Sequence, residues 1–161
     1  MSQEQTADPV EDPLGYVLKQ AATSLRAAMD IALRPLGITV PQYACLTLLG
    51  QRPGLSNAEL ARGAFVTRQS MNAVLRGLQT QGLVSRPATV AQGRALPTQL
   101  TPTGRDRLEA ASSAVNTVEQ QMLTHLTADA QHRLRDYLTS CVAALTPDTT
   151  RGRDPNSALG E

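Results

Sequence analysis

The sequence predicts a mainly α-helical protein with one small β-hairpin, and three observations predict it. Apolar residues recur at spacings of three and four through most of the chain, as expected of helices with one buried face. Capping and stop residues divide that pattern into a series of helices, long ones at both ends and short ones between. Only residues 83–100 break it, with two short β-type runs around a polar loop.

Residues 1–12 lack periodicity and are expected to form a disordered tail. Asp12-Pro13 then reads as an N-cap followed by proline at the first helical position. Leu14, Leu18, Ala21, Leu25, Ala28, Ala32 and Leu36 mark a long first helix that Pro35-Leu36-Gly37 ends. Val17, Met29 and Leu33 widen its apolar surface beyond a single stripe, enough to face two partners. Pro41 opens a second helix, PQYACLTLLG, with Tyr43, Ala44, Leu46, Leu48 and Leu49 internal and Gly50 at its close. A turn over Arg52-Pro53-Gly54-Leu55 follows, and Ser56 caps a third helix in the capping-box form Ser56-x-x-Glu59.

The fourth helix lies within VTRQSMNAVLRGLQTQGLVSR, residues 66–86, with Thr67 as N-cap and Gly82 as stop. Met71, Val74, Leu75 and Leu78 share its inner side, and Gln69, Asn72, Ala73, Arg76 and Thr80 its outer side. Residues 56–82 thus make two short helices joined by a tight turn, a helix-turn-helix whose second helix is of a size for the DNA major groove. Leu83-Val84-Ser85-Arg86 and Leu96-Pro97-Thr98-Gln99-Leu100 read as paired strands, with Pro97 restricting the pairing. The loop between them, PATVAQGRA, carries Gly93-Arg94 near its tip and completes a wing. Thr101-Pro102 starts a long fifth helix reaching about Leu126, along which Leu108, Ala111, Val115, Val118, Met122 and either His125 or Leu126 form a coiled-coil-like seam. Thr127 starts the last helix, with Leu134, Leu138, Cys141, Val142 and Leu145 on one side, and residues 146–161 are expected to be disordered. The fold class is therefore a winged helix-turn-helix, about residues 40–101, flanked by long N- and C-terminal dimerisation helices, about 13–36 and 102–145, in a single domain.

Charge narrows the function. The net charge of +1 conceals −2 over residues 1–51, +6 over 52–107 and −3 over 108–161. A basic centre between acidic ends fits a module that meets a polyanion at its middle. No apolar run is long enough to cross a bilayer, and the acidic start MSQEQTADPVEDP is no targeting signal, so a soluble, cytoplasmic protein is expected. Cys45 and Cys141 sit in apolar helical patterns and read as structural. His125 and His132 have no cysteine cluster near them, which disfavours a metal site, and no cofactor is expected. Phosphate loops, nucleophile elbows and paired catalytic carboxylates are absent at recognisable spacing, so no enzyme is expected.

The candidate DNA-binding residues follow from helix geometry. Gln69, Ala73 and Arg76 point most directly outward, where Gln suits adenine, Arg suits guanine and Ala meets a thymine methyl. Thr67, Arg68 and Ser70 are placed for phosphates, Asn72 shares the outer face, and Ser56, Asn57 and Arg62 add backbone contacts. Arg94 is the group for the backbone or the minor groove. The terminal helices present more apolar surface than one core can cover, which predicts a homodimer on a pseudo-palindromic operator. Its interface candidates are Leu14, Leu18, Leu25, Val118, Met122, Leu126, Leu138 and Val142.

Four segments, LRPLGITVPQYACLTLL at 33–49, LSNAELA at 55–61, TRQSMNAVLRGLQTQGLVSR at 67–86 and QGRALPTQLTPTGR at 92–105, make the chain resemble the MarR family of bacterial transcriptional regulators. The resemblance spans about residues 13–145. It implies a homodimer with interlocked terminal helices, reading helices in successive major grooves, and DNA affinity modulated by a small molecule or an oxidant. It also implies an effector site between dimer helices and reading head, for which Tyr16, Met29, Tyr43 and Phe65 are the candidates. Three positions depart from the family pattern. Gln92 stands where an acid commonly orients the wing arginine, Ala73 where arginine is frequent, and Arg76 where an acid is frequent. The expectation is a dimeric, sequence-specific DNA-binding regulator of repressor type. The competing class is a winged-helix module that binds protein, without specific DNA binding.

Overall fold

The computed structural model describes residues 13–86 and 97–146. They form α1 (Leu14–Leu33), a 3-10 turn (Arg34–Leu36), α2 (Val40–Gln51), α3 (Asn57–Gly63), α4 (Arg68–Thr80), β1 (Val84–Ser85), β2 (Gln99–Leu100), α5 (Pro102–Met122) and α6 (Ala128–Leu145). The chain divides into two compact units, the first ending at Met122 and the second beginning at Leu123. Asp12, both expected tails beyond Thr146 and before Pro13, and the wing loop with Arg94 lie outside the described residues. No helix among the described residues is long and apolar enough to cross a membrane.

Local capping decides where most helices start. Thr39, Ser56, Thr67 and Thr127 each accept a hydrogen bond from the backbone amide three residues on. Thr39 with Gln42 and Ser56 with Glu59 close full capping boxes. The second helix therefore begins at Val40, one residue before the expected Pro41. It also runs through Gly50 to Gln51. That glycine serves packing rather than termination: a Cβ there would meet the Leu108 side chain at 2.8 Å.

In the first unit one core gathers Leu33, Ile38, Cys45, Leu46, Leu49, Leu60, Met71, Leu75, Leu78 and Leu83 with Ala111 and Val115 of α5. The fifth helix stops at Met122 rather than near Leu126. Its seam is largely internal, since Ala111, Val115 and Val118 are buried within their own chain. Arg107 reaches back from α5 to donate to the Leu36 carbonyl, closing the end of the 3-10 turn. In the second unit Gln131 donates through its side-chain amide to the Leu126 carbonyl at 3.0 Å, pinning the turn that precedes α6.

The sequence LTPTG, residues 100–104, has a specific mechanical role. The Thr101 amide donates to the Leu83 carbonyl (3.1 Å) and its hydroxyl to the Gly82 carbonyl (2.6 Å). That hydroxyl also accepts from the Gly104 amide at 3.0 Å, capping α5. Gly104 lies so close to β1 that a Cβ would sit 1.9 Å from the Leu83 carbonyl oxygen. The end of the fourth helix, the first strand and the start of the fifth helix are thereby clamped together. The hairpin is shorter than expected, pairing Val84 with Leu100 and Ser85 with Gln99 in antiparallel register. Arg86 extends this base by donating from Nε to the Thr98 hydroxyl at 3.2 Å.

Candidate nucleic-acid interface

The outward face of α4 is held by what its other side buries. Met71, Leu75 and Leu78 are wholly or almost wholly buried, so the helix cannot rotate without exposing its core stripe. Gln69, Asn72, Ala73, Arg76 and Thr80 are then all exposed on the opposite side. Arg62 on α3 and Arg68 and Ser70 at the start of α4 are exposed as well. From Leu60 to Arg105 the sequence contains no Asp or Glu, while arginines stand at 62, 68, 76, 86, 94 and 105. The surface around the reading helix is therefore rich in cations, and the exposed Glu59 carboxylate on α3 lies in the field of Arg62.

Several of the expected contact residues have structural duties that restrict how they face a ligand. Ser56 is engaged in the capping box, its hydroxyl donating to Glu59 Oε2 at 2.7 Å. This bond, then that of the Ser56 amide, holds the Glu59 carboxyl below its usual range. Thr67 caps α4 by accepting from the Ser70 amide (3.0 Å) while its hydroxyl donates to Ser70 Oγ (2.9 Å). Asn57 bridges the two helices, donating from Nδ2 to Asn72 Oδ1 at 2.9 Å and to the Arg68 carbonyl at 3.4 Å. Its own Oδ1 is buried without a hydrogen-bond partner among the described residues. Asn57 thus acts as a strut that orients Asn72, a relation its sequence separation concealed. With its Oδ1 engaged, the exposed Asn72 keeps its amide N–H₂ as a donor.

Both helices of the helix-turn-helix end in one backbone motif. At the end of α4, the Leu83 amide donates to the Leu78 carbonyl and the Gly82 amide to the Gln79 carbonyl. At the end of α3, Val66 donates to Ala61 and Phe65 to Arg62 in the same arrangement. This Schellman geometry requires one left-handed residue, which is Gly82 with φ 68° in one case and Phe65 with φ 56° in the other. A residue with a Cβ in that region costs roughly 1–2 kcal/mol. The Phe65 ring recovers none of this by packing on its own chain, because the residue is 95% exposed.

That exposure bears on the expected effector site. Phe65 stands on the turn between α3 and α4 and does not line a cavity of its own protomer. Tyr16 is also exposed, and Met29, thirteen residues further along α1, is about 20 Å from it along the helix axis. Met29 and Tyr43 pack against the core. The four residues therefore do not converge within one chain. A recess with a volume of about 550 Å³ lies elsewhere, lined by Leu49, Pro53, Leu100 and Leu108, with Arg105 and Glu109 as its charged members.

The expected dimer residues divide too. Leu14, Leu18 and Met122 in the first unit are exposed, and so are Leu126, Leu138 and Val142 in the second. Leu25 is half-buried beside Val118 in a recess between α1 and α5. Val118 is only 8% exposed and belongs to the packing of its own chain, so it is not a free contact residue. Cys45 is fully buried, and burial, opposed weakly by Arg86, pushes its thiol up to about 12. Cys141 is exposed. No cluster of metal-ligating residues occurs among the described residues.

Comparison with known proteins agrees with this geometry. The MarR family model matches residues 36–95, from the end of the first helical segment into the wing loop. The HTH-type transcriptional repressor Rv2887 of Mycobacterium tuberculosis is 47% identical over 126 residues, 78% of this chain and 91% of that protein. The crystal structure of the Mycobacterium tuberculosis MarR family protein Rv2887 in complex with DNA matches with a TM-score of 0.71 and 42% identity, covering 81% of this chain and 98% of that one. Its complex with salicylic acid matches with a TM-score of 0.69 and 45% identity, covering 82% and 98%.

Proposed function

The chain belongs to the MarR family of transcriptional regulators, and from that premise we propose a dimeric, sequence-specific DNA-binding repressor whose hold on its operator is modulated by a small molecule. The observation that carries the reading is the outer face of α4, a polar, acid-free surface fixed in rotation by its buried side. Its activity is binding, and it operates where bacterial DNA lies, in the cytoplasm.

Within this reading Gln69, Asn72, Ala73 and Arg76 face base edges, and Arg76 supplies the central cation to a guanine. Thr67, Arg68, Ser70 and Arg62 face phosphates, with the free amides at the start of α4 adding to them. Ser56 and Asn57 support that surface chiefly by capping and bridging. Arg94 on the wing reaches the neighbouring backbone or minor groove. The exposed apolar residues Leu14 and Leu18 on α1 and Leu138 and Val142 on α6 are the surfaces that a second copy covers.

For the effector, the recess beside Leu100 and Leu108 joins the end of α2, the wing base and the start of α5. A molecule seated there bears on the elements that aim the wing, and Arg105 offers a cation to an acid. The Rv2887 complexes with salicylic and p-aminosalicylic acids make aromatic carboxylates the first class to try.

Footprinting on DNA flanking the protein's own coding region, followed by salt-titrated binding to the protected duplex, tests the function. Protection of a pseudo-palindrome, with affinity falling log-linearly with salt, is the expected result. Protection of no sequence, with capture of a protein by the same face, replaces this reading with an interaction module.

A further inference from the structure

Phe65 is the chain's single phenylalanine, and it occupies a position that glycine would fill without strain. The same chain uses glycine at the equivalent place one helix later, at Gly82. The apolar contact that usually accompanies this helix ending falls to the next residue, Val66, which packs against the core cluster that contains Ala61. The aromatic ring is therefore not needed to stop α3 or to seal the turn. It is strained in backbone and 95% exposed in side chain. A group held so has its use outside the chain.

Its surroundings identify what lies outside. Phe65 is two residues before Thr67, the cap of the reading helix, and is flanked in sequence by the exposed Arg62 and Arg68. No acid occurs in the chain from Leu60 to Arg105. A ring standing between the exposed Arg62 and Arg68 at the entry of α4, on a stretch of chain whose charged side chains are all arginines, meets the partner that those cations meet.

We propose that Phe65 is a DNA-contacting residue, its ring packing on the deoxyribose carbons of the strand bordering the major groove that α4 enters. This rests on the DNA-binding reading above and adds to it an apolar contact beside the phosphate contacts. The contact removes apolar surface from water on both partners and fixes how deeply the reading helix seats. Phe65 thus trades fold stability for operator affinity.

The test compares the full-length wild type with Phe65→Gly and Phe65→Leu on the pseudo-palindromic duplex protected in footprinting, at several salt concentrations. Thermal midpoints are measured at one fixed protomer concentration. Glycine relieves the left-handed strain, so Phe65→Gly is expected to melt a few degrees higher than the wild type. It is also expected to bind the operator about tenfold more weakly, from loss of an apolar contact. Phe65→Leu keeps an apolar group and should recover part of that affinity. Because the ring is uncharged, the slope of log affinity against log salt should be the same in all three.

A Phe65→Gly variant that melts higher and binds the operator as tightly as the wild type overturns the proposal. So does a variant that melts lower, which would place the ring in a protein contact. A shallower salt slope would mean that the turn acts by aligning phosphate contacts, and also overturns it. If the wild type itself shows no salt-dependent binding to any duplex, it is the underlying DNA-binding reading that fails.

Discussion

Replacing Gly104 with alanine is the most severe single-methyl change the structure predicts. The added Cβ would lie 1.9 Å from the Leu83 carbonyl oxygen, 2.9 Å from its carbon and 3.3 Å from the Leu83 Cα. All three are backbone atoms, so no side chain can swing aside. The start of α5 must retreat from β1 by more than an ångström, which breaks the Thr101 bonds to the Leu83 and Gly82 carbonyls. Overpacking of this kind costs about 1–3 kcal/mol, and the two hydrogen bonds about 1 kcal/mol each. Alanine's better helix propensity returns about 1 kcal/mol. The net loss is about 3 kcal/mol, a drop in melting temperature of roughly 6–12 °C for a chain of this size. Thermal or urea denaturation at fixed protomer concentration measures it. Gly82→Ala is the control, since nothing lies within 4 Å of its Cβ and only its φ of 68° resists the substitution. It should cost about 1 kcal/mol. A Gly104→Ala protein as stable as the wild type, or more stable as propensity alone predicts, would refute the clamp between α5 and β1.

Three further outcomes are expected. Arg76→Ala should relax base preference on a panel of mutated operators, whereas Arg94→Ala should weaken binding to all of them by a similar factor and reduce the salt slope by about one; equal loss of specificity in both would reverse the assignment. Cys45 should resist alkylation in the native protein and react only on unfolding, because it is buried and its thiol is pushed up to about 12; mass spectrometry that finds Cys45 modified before Cys141 under native conditions would contradict this. Glu59 has its carboxyl lowered from 4.5 by Ser56, so its contribution to α3 is complete above that ordinary value and is lost as pH falls through the lower folded value. NMR shifts of the Ser56 and Glu59 amides should move in that acid range and stay flat in Glu59→Gln.

The departures from the sequence reading have a common form. Gly50 looks like a helix stop by residue type, but it lies inside α2, and the approach of Leu108 from α5 explains why a glycine stands there. Val118 fits a dimer seam by spacing, and the same spacing serves α1 of its own chain. Asn57 reads as a polar surface group until Asn72, fifteen residues away, is seen to accept its hydrogen bond. Arg86 and Arg107 count toward the basic centre, yet one ties the wing base and the other closes the 3-10 turn. Phe65 is an effector-site candidate by the family resemblance, and the backbone turns it out from its own protomer.

By itself the sequence determined the helix starts at Ser56, Thr67 and Thr127, the stop at Gly82, the inner and outer faces of α4, and the concentration of positive charge around it. Each of these depends on a side chain acting on backbone within about four residues, or on the period of one helix, and such terms are written locally. Tertiary structure alone decided which apolar stripe is internal, which cations are engaged, and that the effector candidates do not converge within one chain. Those outcomes depend on which segments approach each other, as Gly104 does Leu83 and Asn57 does Asn72, and spacing along the chain carries no record of that approach.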